Sequence, residues 1–146
     1  MILPVSVFLN EISRDGRNYN WKKPACCPRC NSVRVWGHGF VAAYFDGYDD
    51  YLLLRRYRCP DCKCVIRMKP RGFFRRFRAS IDTIRACIFH RLLYGSWPAG
   101  QCGSRQRHWL SALKRKAVAF FGCDPDLLTA FDKLCALGQI PVSRGL

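Results

Sequence analysis

With 146 residues the chain has room for one domain or two small ones, and its 49% of hydrophobic residues is typical of a folded protein. Its 25 Lys and Arg against 10 Asp and Glu give a formal charge of +15, which predicts a polyanionic partner, most often nucleic acid. No apolar run reaches the ~18 residues of a membrane span, and the apolar start lacks the basic region of a signal peptide. We therefore expect no membrane partner and a cytoplasmic, nucleoid-associated location.

The first 20 residues predict a short strand at 5–9 followed by a polar linker. We interpret the strand as an edge strand that packs on the domain that follows.

Two Cys-Pro-x-Cys motifs dominate the next segment, one at residues 27–30 and one at 59–62. A pair of this form makes a tight turn that directs two thiolates at one point, so two pairs supply the four ligands of a closed tetrahedral site. Proline follows the first cysteine in both motifs, which favours these pairs over ligands at Cys26 or Cys64. The cofactor expected is Zn²⁺, and its expected ligands are Cys27, Cys30, Cys59 and Cys62. The alternatives are four free thiols in a reduced core or a redox-active Cys-x-x-Cys pair.

The 28 residues between the two motifs predict a β-hairpin. Residues 33–45 are rich in strand formers, Asp46-Gly47 is a turn signal, and residues 51–58 return. The two glycines that flank His38 predict a bulge in the first strand. A third strand is expected at 64–68.

Residues 69–79 are predicted to form a basic hinge, because Pro70 and Gly72 end the last strand. Basic and phenylalanine residues alternate there, and we expect the arginines to contact phosphates. The predicted domains are therefore a strand and zinc ribbon at 1–68, the hinge at 69–79 and a helical domain at 80–146.

Three helices are predicted after the hinge. Ser80 is expected to cap the first, and Gly95 to end it. The second is expected to be capped by Ser104, and the third by Asp124. The tail from Gln139 is expected to fray.

The helical pair predicts a helix-turn-helix-like arrangement. The connecting loop at 95–103 is longer than the ~3–4 residues of the compact motif. Recognition helices contact bases from their N-terminal residues, where arginine suits guanine and glutamine suits adenine. The residues expected to contact DNA there are Ser104, Arg105, Gln106, Arg107 and His108. The alternative is a solvated basic helix start.

The positive charge is concentrated in one part of the chain. Residues 51–121 hold 17 Lys and Arg against 2 Asp, whereas basic and acidic residues nearly balance elsewhere. A concentrated charge indicates an electrostatic contact with phosphates rather than a solvated surface. The residues expected to neutralise phosphates are Arg75, Arg76, Arg78, Arg85, Arg91, Lys114, Arg115 and Lys116.

The spacing of Cys87, His90, Cys102 and His108 is short enough for a second metal site with mixed Cys and His ligands. Cys87 falls near the apolar stripe of its helix, and free cysteine is commonly buried, so we favour a structural role for these residues.

Taken together, the paired motifs, the hairpin, the basic stretch and the helices predict an α+β fold, with a small antiparallel zinc ribbon followed by a three-helix, helix-turn-helix-like bundle. This order resembles the N-terminal DNA-binding region of bacterial insertion-sequence transposases. The residues that carry the resemblance are 27–30, 56–62 and the helices after Ser80, within residues 24–121. The resemblance implies duplex DNA binding. Such transposases continue into a catalytic domain with three metal-binding acids, which these 146 residues do not contain.

The function expected is zinc-dependent binding of nucleic acid, duplex DNA foremost, as an accessory or targeting factor of a mobile genetic element or as a regulator. A transposase or recombinase is an expected partner. We do not expect an enzyme, because the one acidic cluster, Asp46, Asp49 and Asp50, lies in a turn without a glutamate. The alternative is an RNA-binding or protein-docking zinc ribbon, in which exposed aromatic residues stack on unpaired bases.

Overall fold

The computed structural model of the chain describes residues 1–145, and the chain divides into two units between Arg78 and Ala79. The described residues have an α+β fold with a four-stranded sheet and four α-helices. The α+β class predicted from the sequence is confirmed. Among residues 1–145, no helix combines the length and the apolar character that crossing a membrane requires.

The first unit is built around a sheet of four strands: β1 (Ile2–Val5), β2 (Trp36–Ala43), β3 (Leu52–Arg58) and β4 (Val65–Pro70). Their order in the sheet is β1-β4-β3-β2. Strand β3 pairs antiparallel with both β2 and β4, as the hairpin and the third strand predict, and β1 joins the other edge of β4 in parallel.

The N-terminal segment differs from its prediction. An edge strand is present, but it occupies Ile2–Val5 rather than residues 5–9, and Ile2 lies opposite Arg67 of β4. Helix α1 (Leu9–Asp15) and one turn of 3-10 helix at Gly16–Asn18 follow where a linker was predicted. Because α1 has two turns and buries Ile12 alone, the sequence carries no helical repeat of apolar residues that would reveal it.

The bulge predicted in the first long strand is confirmed. The register of β2 against β3 shifts between Gly37 and Phe40, and Gly39 has a φ of 72°. A Cβ atom on Gly37 would overlap the guanidinium of Arg55, so a larger residue there would require the Arg55 side chain to move.

Side chains alternate between the two faces of the sheet, so Leu54 and Arg56 lie on one face and Arg55 and Tyr57 on the other. On the second face the guanidinium of Arg55 lies 4.8 Å from the ring centre of Phe40 and 5.5 Å from that of Tyr57. The two faces therefore have different chemistry, and Arg56 belongs to the face that forms the cleft described below.

Residues 71–78, predicted as part of a hinge, pack within the first unit. Phe74 is buried, and the rings of Phe73 and Phe45 lie 4.9 Å apart, edge to face. The amide of Asp46 donates to the carbonyl of Arg78 at 3.1 Å. These contacts attach the basic segment to the loop between β2 and β3.

The second unit contains three helices, α2 (Ile81–Tyr94), α3 (Gly103–Phe121) and α4 (Leu127–Ala136). The predicted limits of α2 are confirmed. Ser80 Oγ accepts from the amide of Thr83 at 3.1 Å, and Gly95 ends the helix with a φ of 74°.

The predicted starts of the other two helices are each wrong by two residues. Cys102 occupies the N-cap position of α3, so Ser104 lies in the first turn instead of capping it. Asp126, not Asp124, caps α4 and accepts from the amide of Leu128 at 3.1 Å. Asp124 has a φ of 53°, which places it in a turn before the helix.

The core of the second unit includes a lysine. Lys116 is 2% exposed, and its Nζ donates to the carbonyl of Ile140 at 2.8 Å and to Ser143 Oγ at 2.6 Å. Val142 is fully buried. Two predictions are therefore wrong: Lys116 is not exposed to phosphates, and residues 139–143 pack against α3 instead of fraying. The apolar core residues are Ala79, Ile84, Cys87, Ile88, Trp109, Ala112, Leu113, Ala117, Ala130, Phe131, Leu134 and Val142.

Replacing Lys116 by methionine should destabilise the second unit by about 2 kcal/mol, because the carbonyl of Ile140 and the hydroxyl of Ser143 lose a charged donor. The effect is measured by urea unfolding monitored by the far-ultraviolet circular dichroism of the helices. Lys114→Met is the matched control, since Lys114 is exposed on the same helix. Equal stability of the two variants would show that Lys116 does not hold the tail.

Candidate metal centre

The four cysteine sulfurs predicted as ligands lie within 4.8 Å of one another. Two of the separations link the two motifs: Cys27 Sγ is 3.6 Å from Cys62 Sγ, and Cys30 Sγ is 3.6 Å from Cys59 Sγ. Four sulfurs at ~2.3 Å from a tetrahedral ion would be about 3.8 Å apart. The group therefore has the spacing of a four-thiolate site and can hold a metal ion.

The two motifs fold into matching turns. In each, the amide of the first cysteine donates to the carbonyl five residues later, at 2.8 Å within residues 27–32 and at 2.9 Å within 59–64. The residue after the second cysteine has a positive φ in both, 60° at Asn31 and 63° at Lys63. The repeated Cys-Pro-x-Cys sequence thus gives a repeated backbone that brings two sulfurs together from each side.

The two neighbouring cysteines lie outside this group. Cys26 is exposed, and the thiol of Cys64 is directed to the carbonyl of Val65 at 3.7 Å. Cys64 contributes its backbone carbonyl to the second turn instead. The preference for the Pro-containing pairs agrees with this geometry.

Without a cation the four thiols ionise unequally. Burial raises the pKa of Cys27, but the amides of Cys30 and Arg29 outweigh it and lower the pKa to about 7. The amide of Cys64 lowers the pKa of Cys62, but burial and the three neighbouring thiols raise it to about 12. Thiolates this close repel one another, so a divalent cation between them is what allows all four to ionise together.

Residues beyond the ligands link the two turns. Asp61, which lies inside the second motif, accepts from Arg34 Nη1 at 2.8 Å and from the hydroxyl of Ser32. Such outer contacts orient the ligands of metal sites. Sequence analysis did not select Asp61 or Arg34, because their pairing depends on how the two turns face each other.

The site lies at the edge of the hydrophobic core. Cys27 and Cys59 are fully buried in the same cluster as Val35 and Ile66, whereas Cys30 is exposed. A metal ion bound here would therefore join the hairpin to the segment before it through the core.

Three arginines of the predicted hinge were expected to contact phosphates, and these, Arg75, Arg76 and Arg78, lie in the first unit and line a cleft there. Three further cationic residues line the same cleft and were not selected from the sequence: Arg56, Arg67 and Lys69.

The residues predicted to read DNA at the start of α3 have different surroundings. Gln106 is 1% exposed, and its Nε2 donates to the carbonyl of Gln101 at 3.3 Å, so it is not available to adenine. Arg105 lies 4.9 Å from the ring centre of Trp109 and donates to the side chain of Gln101. Ser104 and Arg107 are exposed, and His108 is half-buried.

The cationic residues on the helices that were predicted to neutralise phosphates differ in their surroundings. Arg85 forms a bidentate ion pair with Asp132, in which both nitrogen-to-oxygen distances are 2.9 Å. The hydrogen bonds from Arg85 lower the pKa of Asp132. Arg91 donates to the carbonyl of Gly95. Lys114 and Arg115 are exposed on α3 and remain available for phosphates.

The four residues with the spacing of a second metal site do not form a cluster within residues 1–145. Cys87 is 3% exposed in the core, and His90 Nδ1 lies 2.7 Å from the carbonyl of Ser96. Within residues 1–145, the four-cysteine group is the one cluster of His, Cys, Asp and Glu side chains with the spacing of a metal site.

Comparison with models of protein families, with curated proteins and with solved structures finds no match to this chain.

Proposed function

We propose that the chain is a zinc-dependent nucleic-acid-binding protein and that its first unit is a zinc ribbon. The observation that carries the proposal is the group of four sulfurs within 4.8 Å of one another, presented by two matching turns. Tetrahedral four-thiolate sites take zinc or iron–sulfur clusters, and the Cys-x-x-Cys pairs on a hairpin favour zinc. Cys27, Cys30, Cys59 and Cys62 would hold the ion, whose contribution is structural.

A binding protein fits this site better than an enzyme does. Catalytic zinc keeps one coordination position for water or substrate, whereas four protein sulfurs fill the tetrahedron. We therefore assign the metal to stability of the fold and assign function to the charged surfaces.

The partner we propose is duplex DNA, because 17 Lys and Arg against 2 Asp fall in residues 51–121. Exposed cations are found in both units: Arg75 and Arg76 in the first, and Arg107, Lys114 and Arg115 in the second. With the resemblance to insertion-sequence transposases, this favours an accessory or targeting factor of a mobile element, or a regulator, associated with the nucleoid. The three helices of the second unit would then serve as a helix-turn-helix-like module, and a transposase or recombinase is the partner protein proposed.

One observation favours a second candidate, an RNA-binding ribbon. Trp36 is 56% exposed at the start of β2, and the guanidinium of Arg34 lies 5.6 Å from its ring centre. An exposed aromatic ring beside an arginine can stack on an unpaired base.

Competition among duplex DNA, single-stranded DNA and structured RNA of equal length tests the choice. We expect duplex DNA to displace a labelled duplex at the lowest concentration, and Trp36→Ala to leave duplex affinity within about twofold. If RNA competes best and Trp36→Ala weakens its binding by about tenfold, the RNA-binding ribbon is the correct function.

A further inference from the structure

A cleft of about 570 Å³ lies within the first unit, on the sheet face that carries Leu54 and Arg56. One side is formed by strands of the sheet and the other by residues 75–78. Its volume is within the range of ligand sites in proteins. None of the residues that line it carries a negative charge, and six have cationic side chains: Arg56, Arg67, Lys69, Arg75, Arg76 and Arg78.

The sheet places like charges together on this face. Arg56 of β3 lies directly opposite Arg67 of β4, and Lys69 follows two residues later on the same face. Like charges directly opposite across two strands destabilise a sheet. An anion bound between them would remove this cost.

The ion pairs that the structure shows within residues 1–145 link Arg14 with Asp15, Arg34 with Asp61 and Arg85 with Asp132. None of these three pairs involves a cationic side chain of the cleft. The Nε atom of Arg56 is buried without a hydrogen-bond acceptor. Burial, and then the charges of Arg67 and Arg75, lower the pKa of Lys69.

On the opposite side of the cleft, one of the arginines is held by an aromatic contact. The guanidinium of Arg78 lies 4.8 Å from the ring centre of Tyr44, and Arg76 has a φ of 67°, which is uncommon for a residue with a side chain. Lys69 Nζ donates to the carbonyl of Phe74 at 2.5 Å, which ties the sheet to the segment 71–78. The cations therefore face the cleft from two elements joined to each other.

We propose that this cleft binds the phosphate backbone of nucleic acid and is the principal electrostatic contact of the protein. The inference rests on the proposed function and assigns it a site. Guanidinium groups bind phosphate oxygens through two parallel hydrogen bonds, and such contacts do not depend on base sequence. The cleft thus gives affinity, and it leaves sequence reading to other residues.

The test compares variants of the full chain by fluorescence anisotropy with a labelled DNA duplex. Arg67→Gln and Arg75→Gln remove one charge from each side of the cleft, and both side chains are exposed, so folding should survive. One phosphate contact is worth about eightfold in affinity at about 0.1 M salt, and its loss makes the salt slope shallower by about one. We expect about this loss from each single variant and at least tenfold from the double variant. Zinc content and melting temperature, measured alongside, should stay at their wild-type values.

Arg17→Gln is the matched control. It removes the same charge from the same unit, but Arg17 is exposed and lies 5.3 Å from the ring centre of Phe40, on the opposite face of the sheet. We expect its affinity to stay within about twofold of the wild type. Arg107→Gln makes the equivalent change on α3 of the second unit.

If the double variant binds as tightly as Arg17→Gln, or if Arg107→Gln weakens binding more than the double variant does, the cleft is not the principal contact and the inference is wrong, although nucleic-acid binding itself stands. If the wild-type protein binds neither duplex nor single strand at low salt, the proposed function fails and the inference fails with it.

Discussion

Replacing Cys59 by serine should abolish zinc binding and unfold the first unit. Cys59 is fully buried and presents one of the four sulfurs, so its loss leaves three thiolates and a hydroxyl inside the core. Structural zinc contributes about 10–16 kcal/mol in zinc-finger peptides at pH 7, which is comparable with the whole stability of a domain. Elemental analysis should find about one zinc per chain in the wild type and almost none in the variant. Near-ultraviolet circular dichroism should report loss of packing around Trp21 and Tyr57, both of which lie in the same core.

Cys26→Ser is the control for this experiment, because Cys26 is exposed one residue before the first ligand and lies outside the group. It should keep its zinc and its melting temperature. A Cys59→Ser protein that retains zinc and a folded sheet would rule out the four-thiolate site.

Affinity for duplex DNA should fall about a thousandfold between 50 and 200 mM salt. If about six cations within residues 51–121 each neutralise one phosphate, counterion release gives a slope near −5 for the logarithm of the binding constant against the logarithm of the salt concentration. A fourfold rise in salt then produces this loss. Titrations at four or more salt concentrations measure the slope. The six cations that line the cleft of the first unit are enough to account for it.

A slope near zero would show that phosphate contacts do not contribute to binding, even if the protein bound DNA. If the slope is steep but Arg17→Gln and Arg67→Gln change it equally, positive charge contributes to binding but the cleft is not where the phosphates are bound.

The local features were predictable from the sequence. Each Cys-x-x-Cys pair is closed by hydrogen bonds within six residues, so spacing alone identifies it. The hairpin and the limits of α2 depend on turn and cap residues, such as Ser80 and Gly95, that act on their immediate neighbours.

Features that depend on distant pairing were not predictable. Arg56 and Arg67 are 11 positions apart, and their adjacency follows from the register of β3 against β4. The parallel pairing of Ile2 with Arg67 depends on the same tertiary contacts. The cationic cleft could therefore be found only after the strands were placed in order.

Burial of polar residues was the other source of error. Gln106 and Lys116 lie among polar and charged residues of α3, and this pattern predicts a solvated face. Both are buried because backbone carbonyls of Gln101 and Ile140 accept their hydrogen bonds. Sequence shows the donors on α3 but does not show which carbonyls the folded chain brings to them.

The most direct test of the four-thiolate site is X-ray absorption at the zinc edge of the purified protein. We expect four sulfur neighbours at about 2.3 Å and no nitrogen or oxygen in the first coordination shell. A folded protein without zinc, or a zinc ion with histidine or water among its ligands, would contradict the account.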